Sequence, residues 1–425
     1  MVLGPSHSFC SRFVIFGIVL HLSAMAWAQS VQRGEWEDIL KVVSSDVQKT
    51  FYDPELKGLN WAELTEQTRQ RIHNAKSTAE MVLAVSSLPA RLDDSHTYFV
   101  PPPLTARSDF GFKARAYDAE VRVTELTQKG PAEKAGLHVG DRILSLNGVP
   151  LNRGDVNEVL RVVTVVAPAG ALDLSVASPG VQPRAVHIPA KIITRQEHQY
   201  LDDVFRVADR QRAMDVHVDF SHKEYADGVW YARFPSFMTS STVSFSEINK
   251  TRRARALVLD LRGNHGGLLE AMMAFLGFFA DTPEVLAKRI LRSSSQNMEI
   301  KPAHSGFHGP IIVLVDSETA SAGELAASHL QLNHKAIVLG DLTSGKVNEG
   351  RVIREKIGAQ FVTPFAVVVT DAKLVLPSGE ELEGRGIVPD VKCVPTSDDL
   401  VRNLDPCLDQ ALSLARKTLS PTESK

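Results

Sequence analysis

The chain has 425 residues, 44% hydrophobic and 23% charged, and its 47 Lys+Arg nearly balance 50 Asp+Glu for a formal net charge of −3. That length exceeds one ordinary domain and suits two or three, each with its own core. The composition is that of a soluble globular protein, and without a long basic run it gives no electrostatic case for nucleic acid as a partner.

At the N-terminus, Arg12, the apolar run Phe13 to Leu22 and Ala26-Trp27-Ala28 describe a secretory signal peptide over 1–28, with Gln29 first in the mature chain. The run falls short of the roughly 18 to 20 apolar residues of a spanning helix, so the mature chain is expected to have no membrane span. The expected location is periplasmic or secreted. Cys10 falls in the leader, which leaves Cys393 and Cys407. In an oxidising compartment these have one possible pairing, closing a short C-terminal loop; two unpaired buried thiols are the alternative.

Residues 29–103 read as a helical N-terminal domain, because Trp36, Ile39, Leu40 and Val43 recur at helical spacing between charged residues. Phe51-Tyr-Asp-Pro-Glu breaks the pattern, and Leu59-Asn60-Trp61 restarts it with Asn60 as N-cap. Leu92-Asp-Asp-Ser95-His96-Thr-Tyr-Phe-Val100 follows, and prolines 101–103 mark a domain edge. His96, beside polar neighbours, is read either as a hinge residue or as a functional imidazole.

From 104 to 190 the pattern is short strands and turns around Gly130-Pro-Ala-Glu-Lys-Ala-Gly-Leu-His-Val-Gly-Asp-Arg-Ile-Leu-Ser-Leu-Asn-Gly-Val-Pro150. This run resembles a PDZ domain. Such domains dock an extended peptide on a sheet edge and receive its terminal carboxylate on backbone N–H groups. Phe110-Gly111-Phe112 is the expected carboxylate loop, since glycine permits close backbone approach; an ordinary strand with a glycine is the alternative.

Residues 191–227 read as a connection into a core that runs to 396. Gly228 to Ser236 is a strand ended by Pro235, and Ala254 to Arg262 is a nearly all-apolar strand buried on both faces. It runs into Gly263-Asn-His-Gly266-Gly267 and then a helix over Leu268 to Phe279, an order that leaves backbone N–H groups open to an anion. Ile311 to Val315 is a further buried strand. Small residues from Thr319 to Gly323 then hand over to a helix near Glu324, so Ser321 sits where a strand becomes a helix. There a hydroxyl can act as nucleophile beside helix N–H groups able to hold an oxyanion, and Ser321-Ala322-Gly-Glu324 equally matches a capping box; the roles are compatible. Ala336 to Gly340 is another strand. Gly340 through Lys346 satisfies G-x-x-x-x-G-K, but Val347 stands where a phosphate loop needs Ser or Thr and no helix follows, so that reading is rejected. A C-terminal helix closes the chain within 397–425, and the alternation of strands and helices from 228 to 390 argues for an α/β core.

Taken together, Asp260-Leu-Arg-Gly-Asn-His-Gly-Gly267, Ser321-Ala-Gly-Glu324, Thr343-x-Gly-Lys346 and Glu383-Gly-Arg-Gly-Ile-x-Pro-Asp390, behind a PDZ run and a helical start, resemble the C-terminal processing (tail-specific) serine peptidases. The resemblance implies a core of stacked β/α units related to the Clp-protease and crotonase folds, and hydrolysis of protein or peptide substrates with no cofactor and no metal. It puts the nucleophile on Ser321 and the oxyanion donors on the N–H of Ala322 and of Gly266 or Gly267. For the base it offers two routes. The family's lysine falls on Lys346, but its supporting Gln position holds Gly350; bringing that lysine near neutrality costs roughly 4 to 5 kcal/mol. The related tricorn core proteases use a serine–histidine pair and a distant glutamate instead, which Ser95-His96 and Glu383 resemble, and a histidine needs no large shift to serve near neutral pH. The reading leans to His96 and Glu383. A non-catalytic ligand-binding or scaffold protein of the same fold is the competing function.

Overall fold

A computed structural model describes residues 33–102, 106–154, 156–194, 218–303, 306–358 and 363–419. The expected leader, with Cys10, Arg12 and the Ala26–Ala28 stretch, lies outside the described residues, as do Pro103 and most of the expected 191–227 connection. The architecture is mixed α/β, and among the described residues no helix is long and apolar enough to cross a membrane.

Three helices open it, Arg33–Thr50, Trp61–Asn74 and Thr78–Ser87. Trp36, Ile39, Leu40, Val43 and Val47 form the buried stripe of the first, and the Asn60 side chain caps the second by accepting from Glu63 N–H. Their core is continuous with the PDZ-like segment, joining Phe51, Leu92 and Phe99 to Phe110, Val121, Ile143 and Leu172. The short strand Tyr98–Val100 pairs with Thr363–Val375 of the C-terminal half. So the stretch holding Ser95 and His96 is sewn into the later sheet ahead of the prolines.

The PDZ-like segment is a six-stranded antiparallel sheet from Phe112–Tyr117 to Arg184–Pro189. Pro131 starts the short helix Pro131–Lys134, where its missing N–H costs nothing. Lys191–Thr194, expected within the connection, pairs with Ala106–Asp109 as a separate ribbon.

The core sheet runs Ser221–Glu224, Val229–Arg233, Ala256–Asp260, Ile311–Val315, Ile337–Gly340, Val391–Lys392. Only the first strand is antiparallel to its neighbour. Both faces are covered, which is why Ala256–Asp260 and Ile311–Val315 are buried at every position. Leu257, Leu259, Val313, Val315 and Val338 face the helices Leu269–Leu276 and Ala322–Asn333. Val258, Ile312, Leu314 and Leu339 face Cys407, Ala411, Leu412 and Ala415 of the terminal helix Pro406–Leu419, the strict alternation of a strand. A Cys393–Cys407 disulfide ties the last strand to that helix.

Candidate active site

Two parallel strands end side by side, and each is followed by the N-terminus of a helix. Ala256–Asp260 leads through Gly263–Gly267 to Leu269–Leu276, while Ile311–Val315 leads through Asp316–Ser321 to Ala322–Asn333. Ser321 stands at the second junction with φ 54 and ψ −123, a left-handed backbone that a β-carbon disfavours. Such strain persists only where the surroundings impose it. Here the Ser321 N–H donates to the Lys346 carbonyl at 2.7 Å, and Glu324 Oε2 accepts from the same N–H at 3.2 Å.

Glu324 holds more than its helix end. Its carboxylate also takes the Thr343 hydroxyl at 2.5 Å, Gly345 N–H at 2.8 Å and Lys346 N–H at 2.9 Å. The side chain is fully buried, and burial pushes its pKa up to about 6 against the pull of those hydrogen bonds.

The glycine loop fits against the serine so closely that only glycine serves. A β-carbon on Gly266, at φ 91, would lie 2.7 Å from Ser321 Cβ and 2.9 Å from Ala322 N. Buried Asn264 locks the loop: Nδ2 donates to the Phe234 carbonyl at 2.8 Å, Oδ1 accepts Gly266 N–H at 2.8 Å, and its carbonyl accepts Ala320 N–H at 2.9 Å. The first N–H groups of the Ala322–Asn333 helix have no acceptor within the helix.

The Ser95–His96 pair lies across the later sheet. Ser95 Oγ is 2.8 Å from His96 Nδ1, and Ser95 N–H donates to Glu383 Oε1 at 3.0 Å. Glu383 Oε2 accepts from Val347 N–H at 2.8 Å and Asn348 N–H at 3.1 Å, so one carboxylate braces the histidine loop to the segment beside Lys346. Burial lowers the His96 pKa; Glu383 and Asp94 oppose this and the nearby Lys346 charge adds to it. The glutamate meets the pair at the serine backbone, and the serine hydroxyl meets the ring.

Gly350 is where His96 rests. A β-carbon there would stand 3.1 Å from His96 Cβ and 3.4 Å from its Cδ2. Asp94, which the sequence reading did not single out, accepts His96 N–H at 3.1 Å and Asn348 Nδ2 at 3.2 Å and also takes the Thr370 hydroxyl. A short acid next to a turn reads as a turn residue, and only its burial marks it.

The PDZ-like segment touches the strand-to-helix passage directly. Arg115 pairs with Glu318 at 2.8 Å, Ser317 Oγ donates to the Ala116 carbonyl at 2.6 Å, and Arg153 pairs with Asp341 at 2.8 Å. In the expected carboxylate loop, Phe110 is buried and Gly111 has φ 74, but Gly111 N–H already donates to Asp109 Oδ1 at 2.9 Å. Phe112 begins the strand that follows.

Comparison with known proteins agrees with this layout. Residues 228–393 match peptidase family S41, 122–171 match the PDZ domain and 32–86 match the tricorn protease C1 domain. The chain is 24% identical over 368 residues to carboxyl-terminal-processing peptidase 3, chloroplastic, of Arabidopsis thaliana, covering 82% of this chain and 67% of that one. It is 26% identical over 369 residues to the C-terminal processing peptidase, chloroplastic, of Tetradesmus obliquus, covering 82% and 75%. The crystal structure of mature CPAF shares the fold, with TM-score 0.68, 14% identity, and coverage of 93% of this chain and 99% of that one. The chain thus carries a segment matching the S41 peptidases behind segments matching a tricorn protease C1 domain and a PDZ domain, and it is similar over most of its length to carboxyl-terminal-processing peptidases.

Proposed function

We propose that the protein is a serine endopeptidase in which Ser321 is the nucleophile and His96 its base. The observation that carries the choice of base is Gly350: a β-carbon there would crowd His96 Cβ at 3.1 Å, so the position that would support Lys346 is packed against the histidine instead. Ser95 Oγ, 2.8 Å from Nδ1, accepts the Nδ1–H and leaves Nε2 with the lone pair a base requires. Ser321 Oγ attacks the peptide carbonyl while Nε2 takes its proton. The oxyanion is held by the N–H of Ala322 and of Gly267, because the Gly266 N–H is engaged by Asn264. Imidazolium then protonates the leaving amine, and water, deprotonated by His96, hydrolyses the acyl-serine. Glu383 is a positioning residue acting through Ser95.

The PDZ domain is proposed to engage substrate C-termini, with the terminal carboxylate displacing Asp109 from Gly111 N–H. A signal-peptide-like leader and a Cys393–Cys407 disulfide support a periplasmic or secreted enzyme. Parallel strands with helices stacked on them support a core of the Clp-protease and crotonase kind.

The test is casein hydrolysis by the mature protein beside Ser321→Ala. Loss of hydrolysis in the variant supports the reading, whereas casein left intact by the unsubstituted protein, or cleaved equally by the variant, favours a non-catalytic binding protein.

A further inference from the structure

The far end of the helix that Ser321 begins carries a second cluster. His329 lies eight residues on, about 12 Å along the axis. Its Nε2 is 2.7 Å from Glu284 Oε2, and His334 Nε2, just past the helix end, is 3.1 Å from the same oxygen. Glu284 belongs to a different element, the strand Glu284–Leu291. One oxygen and two imidazole nitrogens therefore converge from two elements, all within 4.8 Å of one another.

We propose that Glu284, His329 and His334 form a zinc site that clamps the C-terminal end of the nucleophile helix to the Glu284–Leu291 strand. Two imidazoles and one carboxylate are borderline donors that suit zinc and do not suit magnesium or calcium. Zinc at about 2.0 to 2.2 Å from each donor holds neighbouring donors roughly 3.3 Å apart, so the 2.7 Å contact of His329 opens by about 0.6 Å and the 3.1 Å contact of His334 by about 0.2 Å to admit the ion. His329 is buried at 2% side-chain exposure, which fixes one ligand, while Glu284 at 20% and His334 at 12% leave an approach from solvent and room for a water as fourth ligand. The ring of Phe279, 6.1 Å from that of His334, backs the site on its apolar side. Distance from Ser321 makes the site a structural clamp outside the hydrolytic chemistry, and it stands or falls independently of the peptidase reading.

The cluster competes with a metal-free arrangement in which both imidazoles donate to one carboxylate oxygen, and the two are separable by experiment. Chelator-treated mature protein is titrated with zinc chloride by calorimetry, and with cobalt chloride by visible absorption. The expected result is one ion per chain, cobalt d–d bands of a four-coordinate site, and a melting temperature that rises with zinc concentration. Glu284→Gln and His334→Ala, each at a partly open position, should weaken zinc binding at least about 100-fold while the metal-free proteins keep the parent's circular dichroism. No saturable binding by the unsubstituted protein, or unchanged affinity in both folded variants, would overturn the proposal.

Discussion

Glu324→Ala is the substitution whose consequences the geometry specifies most fully. The carboxylate accepts four donors. After truncation Ser321 N–H still has the Lys346 carbonyl at 2.7 Å, whereas the Thr343 hydroxyl, which goes on accepting Ile387 N–H at 2.6 Å, loses the acceptor for its own proton. Gly345 N–H and Lys346 N–H lose the same carboxylate, so three donors besides Ser321 N–H are deprived of it. At about 1 to 3 kcal/mol for each unsatisfied buried donor, the loss is about 3 to 9 kcal/mol, a large share of the roughly 5 to 15 kcal/mol of a typical domain. The Gly345 and Lys346 N–H groups hold the loop whose Lys346 carbonyl fixes Ser321 at φ 54, so the strained turn should relax. We expect kcat to fall about 10- to 100-fold with KM nearly unchanged, because the substitution disturbs the proposed nucleophile and leaves the substrate's other contacts alone.

Glu324→Gln separates charge from shape. The native pKa of about 6 lies above the ordinary 4.5, so between these values the folded state binds more protons than the unfolded one. Its contribution to stability is full below about 4.5 and is lost as pH rises through about 6, a change of about 2 kcal/mol. The Gln variant should lack this decline. Denaturant unfolding at several pH values, with casein hydrolysis alongside, measures both effects. An alanine variant that unfolds within about 1 kcal/mol of the parent and cleaves casein at the parent's rate would refute the reasoning.

The base is tested by pairing His96→Ala, expected to cost several orders of magnitude in kcat, with Lys346→Ala, expected to cost far less. The acid limb of kcat/KM should lie below 6.5 and move up in Lys346→Ala, since removing a cation eases protonation of His96; the reverse pattern of losses would transfer the role to Lys346. The unfolded, unreduced protein should show no free thiol at Cys393 or Cys407, and reduction should lower stability by about 3 kcal/mol; two reactive thiols would exclude the bridge. Asp109→Ala should tighten binding of peptides with a free C-terminal carboxylate and leave the amides unchanged, measured by fluorescence polarisation; equal effects on acid and amide would remove carboxylate capture at Gly111.

What could be read in the sequence was what is local. Apolar runs without alternation gave the doubly covered strands, because a strand buried on both faces has no polar side to show. Strand order and the seat of the histidine loop are different in kind. Tyr98–Val100 pairs with Thr363–Val375 across more than half the chain, and nothing in three residues specifies so distant a partner. The prolines after it looked like a domain edge, and the strand before them had already joined the far half.

The site divides the same way. Ser321, its glycine partner loop and the Ser95–His96 pair carry local signatures, and Glu324 was visible as a cap partner three residues from the serine. Its larger role, collecting N–H groups from Gly345 and Lys346, depends on a loop some 20 residues away folding back over the helix start. Asn264 and Asp94 carried no signal beyond small polar residues in turns, although burial makes each a fixed joint between segments. Gly350 is the most instructive. In the sequence it is only a missing glutamine, a reason to doubt a lysine base. In three dimensions a β-carbon at that position would crowd His96 Cβ at 3.1 Å, so the departure that weakens the lysine reading also gives the histidine room to pack there.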